Sequence, residues 1–228
     1  MQLRAFNRDN APHLLNCAVT LAREHRDTFG SRCLAAWWRI ELGQGCRFFG
    51  LPILRRAPGS ILRVGEGCQF RSAQWANLVG INRPCMLATM LPDAVLEIGE
   101  GCGFSGTTIG CASRVTLGRR VMCGANVTIS DTDWHPIDWR ERAAGVTATT
   151  PIAPVSIDDD AWIGMGALVL KGVSIGARTI VGAGSIVSRP LPADVIAAGA
   201  PAKVIRKLAR SDHPEEVALQ YARGGAQA

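Results

Sequence analysis

The sequence has few aromatic residues and no long hydrophobic run. Phe, Trp and Tyr make up 6% of its 228 residues, whereas glycine occurs 25 times. This balance favours many short strands and tight turns over a helical bundle. No apolar stretch approaches the roughly 20 residues of a membrane-spanning helix. The N-terminal stretch also lacks the apolar core of a signal peptide, so we expect a cytoplasmic protein and leave contact with a membrane surface open.

The eight cysteines include no CxxC pair, and the chain has only four histidines. A disulfide framework is typical of much shorter secreted chains. We therefore expect free thiols that act mainly as small buried apolar side chains.

The charge is distributed unevenly. Residues 1–72 hold 11 Lys and Arg against 5 Asp and Glu, while residues 73–228 hold 14 of each, so the net charge of +6 lies in the N-terminal third. Arginine-rich surfaces suit phosphate groups or anionic lipid, although a solvated face is an equal alternative. No recognised nucleic-acid-binding motif accompanies the charge, so nucleic acid is not an expected partner.

The first 45 residues predict a helical lead-in. Residues 10–28 carry an apolar stripe after Asn10, which can cap a helix, and a second helix can begin at Ser31 and end near Gly43. The pair Trp37–Trp38 suits packing against the end of the domain, or else a membrane interface or partner surface.

From residue 157 the chain repeats every six residues. The units read IDDDAW, IGMGAL, VLKGVS, IGARTI, VGAGSI and VSRPLP. Their first positions are β-branched: Ile157, Ile163, Val169, Ile175, Val181 and Val187. A weaker copy extends the pattern back to about residue 60. A period of six fits neither a helix nor a heptad, but three short strands closing one coil would point these residues inward. The repeat therefore predicts an all-β parallel solenoid without defining its hand.

This repeat sets the predicted domain organisation. A helical lead-in covers 1–45, the solenoid covers 46–208 with loops at 72–95 and 130–154, and 209–228 form a short C-terminal helix and tail. The second loop contains DTDWHPID, which Pro136 keeps from being helical throughout.

Three motifs resemble those of the hexapeptide-repeat acyltransferases, and in particular the maltose and galactoside type of sugar O-acetyltransferase and the acetyltransferases of polysaccharide biosynthesis. They are NVTISDTDWHP, AWIGMGALVLKGVSIGARTIVGAGSIV and AAGAPAKVIRKL. The resemblance implies a left-handed parallel β-helix and a homotrimer with active sites between subunits. It also implies direct transfer of an acetyl group from acetyl-CoA to a hydroxyl of a sugar, nucleotide-sugar or lipid-linked glycan.

The same resemblance assigns candidate site residues. His135 corresponds to the general base, and Asp133 or Asp131 is the local candidate for orienting it, although capping of loop amides is as good an interpretation of both aspartates. Ser105 or Thr107 can replace an asparagine that closer sugar acetyltransferases carry upstream. The residues aligned with CoA contacts are Trp162, Gly164, Ala183, Ser188, Arg189, Lys203 and Arg206. No metal site is expected, because a zinc enzyme on this fold needs three histidines at each subunit interface and the repeat holds only His135.

Two alternatives stay open at this point. The chain can be an N-acetyltransferase of an amino sugar or an antibiotic, or a scaffold that keeps the coils without catalysis. A CoA-binding measurement separates the scaffold from both enzymes.

Overall fold

The computed structural model describes residues 10–208. Its strands, numbered in chain order, form three sheets in which each strand from β1 to β15 pairs in parallel with the strand three positions further along the chain. The first sheet contains β1 (Glu41–Leu42), β4 (Ile61–Val64), β7 (Val95–Ile98), β10 (Arg114–Leu117), β13 (Val155–Ile157) and β16 (Ser174–Ile175).

The second sheet contains β2 (Arg47–Phe49), β5 (Gln69–Arg71), β8 (Gly103–Ser105), β11 (Met122–Ala125), β14 (Trp162–Ile163), β17 (Ile180–Val181), β19 (Val195–Gly199) and β20 (Ala202–Lys207). The third contains β3 (Ile53–Arg55), β6 (Met86–Thr89), β9 (Thr108–Cys111), β12 (Thr128–Ser130), β15 (Leu168–Val169) and β18 (Ile186–Val187). Successive strands up to β18 fall in the first, second and third sheet in turn, and each such set of three is called a coil. Among the strands of residues 10–208, only β20 runs antiparallel to its neighbour, β19.

The repeat positions fill the interior of these coils. All six leading residues from Ile157 to Val187 are at most 1% exposed, as are the small residues four positions after the first five of them, from Ala161 to Ser185. A column of stacked rings, Phe48, Phe70 and Phe104, fills the earlier coils with centroid separations of 4.8 and 5.0 Å. The inward-facing interpretation of the repeat is confirmed.

One continuous helix, α1 (Ala11–Trp37), precedes the coils, so the prediction of two helices was wrong. Ser31, the expected second cap, is buried within α1, and its hydroxyl donates to the carbonyl of Asp27 (2.7 Å). A hydroxyl that bonds back by four residues is satisfied inside a helix and has no need to begin a new one. The tryptophan pair is split, because Trp38 packs on the core while Trp37 is 83% exposed.

The two interruptions of the repeat differ in structure. The segment 72–95, predicted as a loop, contains a short 3₁₀ helix (Gln74–Ala76) and the strand β6. The segment 130–154 leaves the third sheet after β12, forms the short helix α2 (Trp139–Ala143) and returns as β13. Among residues 10–208, no helix is long and apolar enough to cross a membrane. The predicted C-terminal helix lies outside the described residues.

Candidate active site

His135 lies on the loop between β12 and β13. Its side chain is exposed, and it makes no hydrogen bond within the part of the chain that the structure describes. The loop is closed at its base by backbone bonds from Asp133 to Pro151 (3.1 Å) and from Ala153 to Asp131 (2.9 Å). A free imidazole is thus presented on a loop whose root is anchored.

Asp131 fastens that root to the preceding turn of the third sheet. Its carboxylate is fully buried and accepts three backbone N–H groups, from Ala112 (2.7 Å), Ser113 (2.7 Å) and Arg114 (2.8 Å). Burial, and secondly the nearby Asp131 carboxylate, raise the pKa of the Cys111 thiol to about 12. Asp131 therefore shapes the loop, which was one of its two predicted roles.

Asp133 has a different partner from the one that the sequence suggests. Its carboxylate pairs with the ammonium group of Lys171 (2.8 Å), which lies in the turn between β15 and β16. No hydrogen bond joins either aspartate to His135 among the described residues. The orienting role of Asp133 stays a prediction that this geometry does not support within one subunit.

Trp134 holds the same loop against the third sheet. It adopts a positive φ of 66°, and the edge of its indole lies over Gly110, where an added Cβ would come within 2.8 Å of Cζ2. Only a glycine allows the ring to approach the strand this closely. His135 therefore follows a residue whose ring contacts the third sheet. No feature of the sequence alone pointed to Gly110 or Lys171.

The two hydroxyl residues suggested as replacements for an asparagine are both buried. Ser105 is 7% exposed and Thr107 is fully buried. The Thr107 hydroxyl has no hydrogen-bond partner within residues 10–208. Both side chains lie in the wall of the coils, which leaves them little surface for contact with a ligand.

Trp162 lies on the outer surface of the second sheet and is 51% exposed. In the strand register it continues across the sheet to Ile180, Ile196 and finally Arg206 on β20. Because neighbouring strands lie about 4.8 Å apart, Arg206 is about 14 Å from Trp162 along this row. The structure therefore places two of the predicted cofactor residues in one lateral row.

The backbone groups of Gly164 and Ala183 differ in availability. The amide of Gly164 donates to the carbonyl of Val181 (2.8 Å), and its own carbonyl accepts from Ala167 (3.2 Å). An added Cβ at Gly164 would lie 2.6 Å from the next coil, so glycine is needed there for stacking. Ala183 is exposed, and its amide donates no hydrogen bond within the described residues. Of these two amides, only that of Ala183 lacks an acceptor among residues 10–208.

The remaining predicted cofactor residues lie at the C-terminal end of the coils. Ser188 and Arg189 follow β18, and Lys203 and Arg206 belong to β20; all four are exposed. None of the three cations has a carboxylate partner among residues 10–208. Lys203 and Arg206 make the end of the second sheet basic, and Arg189 adds a cation after the last strand of the third sheet. Such cations can accept an anionic group.

A groove of about 1200 Å³ runs along the corner between the first and second sheets. Ion pairs line it, including Arg120–Asp160 and Arg63–Glu41. None of the predicted site residues contributes to its lining. Within residues 10–208, no group of three or more His, Cys, Asp and Glu side chains is arranged to hold a metal ion.

Comparison with known proteins agrees with this architecture. Residues 154–189 match the family model described as bacterial transferase hexapeptide (six repeats). The chain is 42% identical over 100 residues to galactoside O-acetyltransferase of Lactococcus lactis, covering 43% of this chain and 45% of the relative. It is 47% identical over 64 residues to a 2,3,4,5-tetrahydropyridine-2,6-dicarboxylate N-acetyltransferase of Staphylococcus aureus. This match covers 28% of this chain and 27% of the relative. The chain thus spans less than half the length of these curated relatives.

A solved hexapeptide-repeat containing acetyltransferase from Vibrio cholerae has the same fold. Its TM-score is 0.53 at 21% identity, over 90% of this chain and 95% of that one. By the six-residue repeat, the match over residues 154–189 and this shared fold, the chain is similar to the hexapeptide-repeat acyltransferases.

Proposed function

We propose that the protein is an acetyl-CoA-dependent O-acetyltransferase acting on a sugar hydroxyl, with His135 as the general base. The observation that carries this proposal is the exposed imidazole of His135, which is free of partners among the described residues, on a loop held by Asp131 and Trp134. The similarity to galactoside O-acetyltransferase supports transfer to oxygen.

The chemistry uses one proton carrier for both halves of the reaction. The neutral imidazole of His135 removes the acceptor hydroxyl proton as that oxygen attacks the thioester carbonyl carbon. The tetrahedral oxyanion needs an N–H donor for its stabilisation. When the carbon–sulfur bond breaks, the imidazolium returns the proton to the departing thiolate. The products are the acetyl ester and free CoA, and the enzyme ends in its starting protonation state.

The second sheet offers a surface for acetyl-CoA. We propose that the pantetheine arm lies along the row from Trp162 to Arg206, with the free amide of Ala183 as a donor to one of its carbonyls. The cations Arg189, Lys203 and Arg206 would meet the CoA phosphates. Gly164 contributes through its size, because its backbone groups are already engaged.

Two further features belong to the proposal. The hand of the coils is left-handed, as the resemblance implies, and the subunits form a homotrimer. The loop that carries His135 connects the third sheet to the first, whereas Trp162 lies on the second sheet. A neighbouring subunit that brings its second sheet to this loop would unite the two groups. The eight free thiols suit a cytoplasmic location.

The acceptor proposed is a sugar, a nucleotide-sugar or a lipid-linked glycan. The second candidate function is N-acetylation of an amino sugar or antibiotic. The 64-residue similarity to an N-acetyltransferase supports transfer to nitrogen. A non-catalytic scaffold is the remaining alternative. Screening hydroxyl and amino acceptors with a thiol-release assay separates these possibilities.

The direct test compares two substitutions by turnover and by isothermal titration with acetyl-CoA. His135→Ala is expected to abolish turnover and to leave the acetyl-CoA dissociation constant unchanged, while Trp162→Ala is expected to weaken binding. His13→Ala, an exposed histidine on α1, is the matched control. A His135→Ala variant with wild-type turnover would remove the assignment, and absence of acetyl-CoA binding in the wild type would remove the enzyme altogether.

A further inference from the structure

The helix α1 turns a polar side towards the protein. Its buried positions include Glu24, Asp27 and Ser31. Glu24 pairs with Arg47 (Nη2–Oε2 2.7 Å). The carboxylate of Asp27 accepts the Gly50 amide (2.8 Å). The Thr28 hydroxyl likewise accepts the Phe48 amide (3.0 Å). These contacts satisfy the outer edge of β2, the first strand of its sheet, which would otherwise be open to pairing with another chain.

The opposite side of α1 is apolar, and no part of residues 10–208 covers it. At about 100° per residue, one stripe lies opposite the buried positions and runs the whole helix, about 40 Å long. Its members are Ala11, Leu15, Ala18, Val19, Ala22, Phe29, Cys33, Ala36 and Trp37, interrupted only by Arg26. We name this set the α1 outer stripe. Leu15 is 67%, Phe29 73% and Trp37 83% exposed. This arrangement inverts the usual amphipathic helix, whose apolar side faces its own core.

The charges exposed on α1 all have one sign. Arg23, Arg26 and Arg32 are exposed, whereas the helix's two acidic residues, Glu24 and Asp27, are 8% and 3% exposed and already hydrogen-bonded. Arg26 pairs with Asp27 (2.8 Å), so among residues 10–208 Arg23 and Arg32 are the cations of α1 without a carboxylate partner. Two more exposed arginines, Arg39 and Arg55, follow in the first coil. The apolar Leu51 (56% exposed) extends the stripe sideways, since its Cδ2 lies 3.2 Å from the position of an added Cβ at Gly30.

We propose that the α1 outer stripe docks this protein on the surface of an anionic phospholipid bilayer, with α1 lying in the interface plane. Exposed Phe, Trp and Leu on one side and arginines beside them are what such an interface takes up. A second copy of the chain is a poorer occupant, because stripe-to-stripe contact would bring like charges from Arg23 and Arg32 together. Since α1 cannot span a bilayer, it would lie on the surface. This docking goes beyond the proposed transferase activity and does not depend on it.

The test is co-sedimentation with phosphatidylcholine vesicles prepared with and without phosphatidylglycerol, at low and high salt. The full-length protein is expected to bind only the anionic vesicles, and less at high salt. The double variant Phe29→Ser/Trp37→Ser is expected to weaken binding by at least about tenfold. Leu78→Ser removes an apolar side chain that is 101% exposed on a different loop, and it is expected to bind like the wild type.

A second variant, Arg23→Gln/Arg32→Gln, keeps the stripe and removes charge. It is expected to lose the salt-sensitive part of vesicle binding. It also replaces the first variant as the test if circular dichroism shows that the first variant does not fold. The proposal is overturned if the wild-type protein does not bind anionic vesicles. It is also overturned if Phe29→Ser/Trp37→Ser binds them as tightly as the wild type. A stripe variant that only lowers the oligomeric state in sedimentation velocity, with no vesicle binding by the wild type, overturns it in favour of a second copy.

Discussion

The carboxylate of Asp133 and the ammonium group of Lys171, 2.8 Å apart, tie the loop that carries His135 to the following coil. Both side chains stay partly exposed, at 37% and 31%. Ion pairs in such surroundings contribute about 0–1 kcal/mol to folding stability. The pair is therefore expected to affect the position of the loop more than the stability of the fold.

Lys171→Ala should lower kcat by about tenfold, because small displacements of a reacting group are costly. The KM for acetyl-CoA and the melting temperature should change little. Steady-state kinetics and thermal melting measure both effects. This prediction rests on the proposed function.

Reversing the pair, as Lys171→Asp with Asp133→Lys, should recover much of the lost kcat. Arg120→Ala breaks a comparable exposed pair with Asp160 at another corner and should leave kcat unchanged. If Lys171→Ala is fully active while His135→Ala is inactive, the pair has no positioning role and the base assignment still stands.

Asp131→Asn should destabilise the fold by about 2 kcal/mol, since at least one buried N–H loses its acceptor. For a chain of this size, that lowers the melting temperature by roughly 5 °C. Differential scanning calorimetry measures the shift. Asp138→Asn is the matched control in the same loop, because its exposed side chain caps α2 through the Arg140 amide (2.8 Å) and asparagine caps equally well. Equal melting temperatures for wild type and Asp131→Asn would contradict the anchoring role.

The Glu24–Arg47 pair should make stability depend on pH in the acid range. The hydrogen bond from Arg47 holds the pKa of the Glu24 carboxyl below its usual range. The pair's contribution is therefore complete above the unfolded carboxyl pKa of about 4.3, and is lost as the pH falls through the lower folded value.

Glu24→Gln should be less stable than the wild type near neutral pH, and the difference should shrink on acidification. Urea unfolding at a series of pH values tests this. Glu66→Gln, at an exposed position that has no ion pair within residues 10–208, should follow the wild-type curve. A constant difference between wild type and Glu24→Gln at every pH would show that the pair is not the cause.

The coils were predictable because the residue types within each six-residue unit indicate which positions are buried. The β-branched residues at every sixth position from Ile157 to Val187 face the interior, as do the residues four positions after each of the first five. The helical lead-in was predicted as two helices, since Gly30 and Ser31 resemble a boundary in sequence. In the structure, Ser31 instead bonds back to Asp27, and α1 continues to Trp37.

The sequence by itself determined the period, the inward residues and the loop that carries His135. Only the tertiary structure decided the partners of the polar side chains. Asp131 and Asp133 are near neighbours, yet one caps amides beginning 19 positions away and the other pairs with a lysine 38 positions away. The tertiary structure also decided that α1 turns Glu24 and Asp27 inward and Phe29 and Trp37 outward. Burial of an apolar repeat follows from local periodicity, whereas a polar group's role depends on which donor or charge folding brings within about 3 Å.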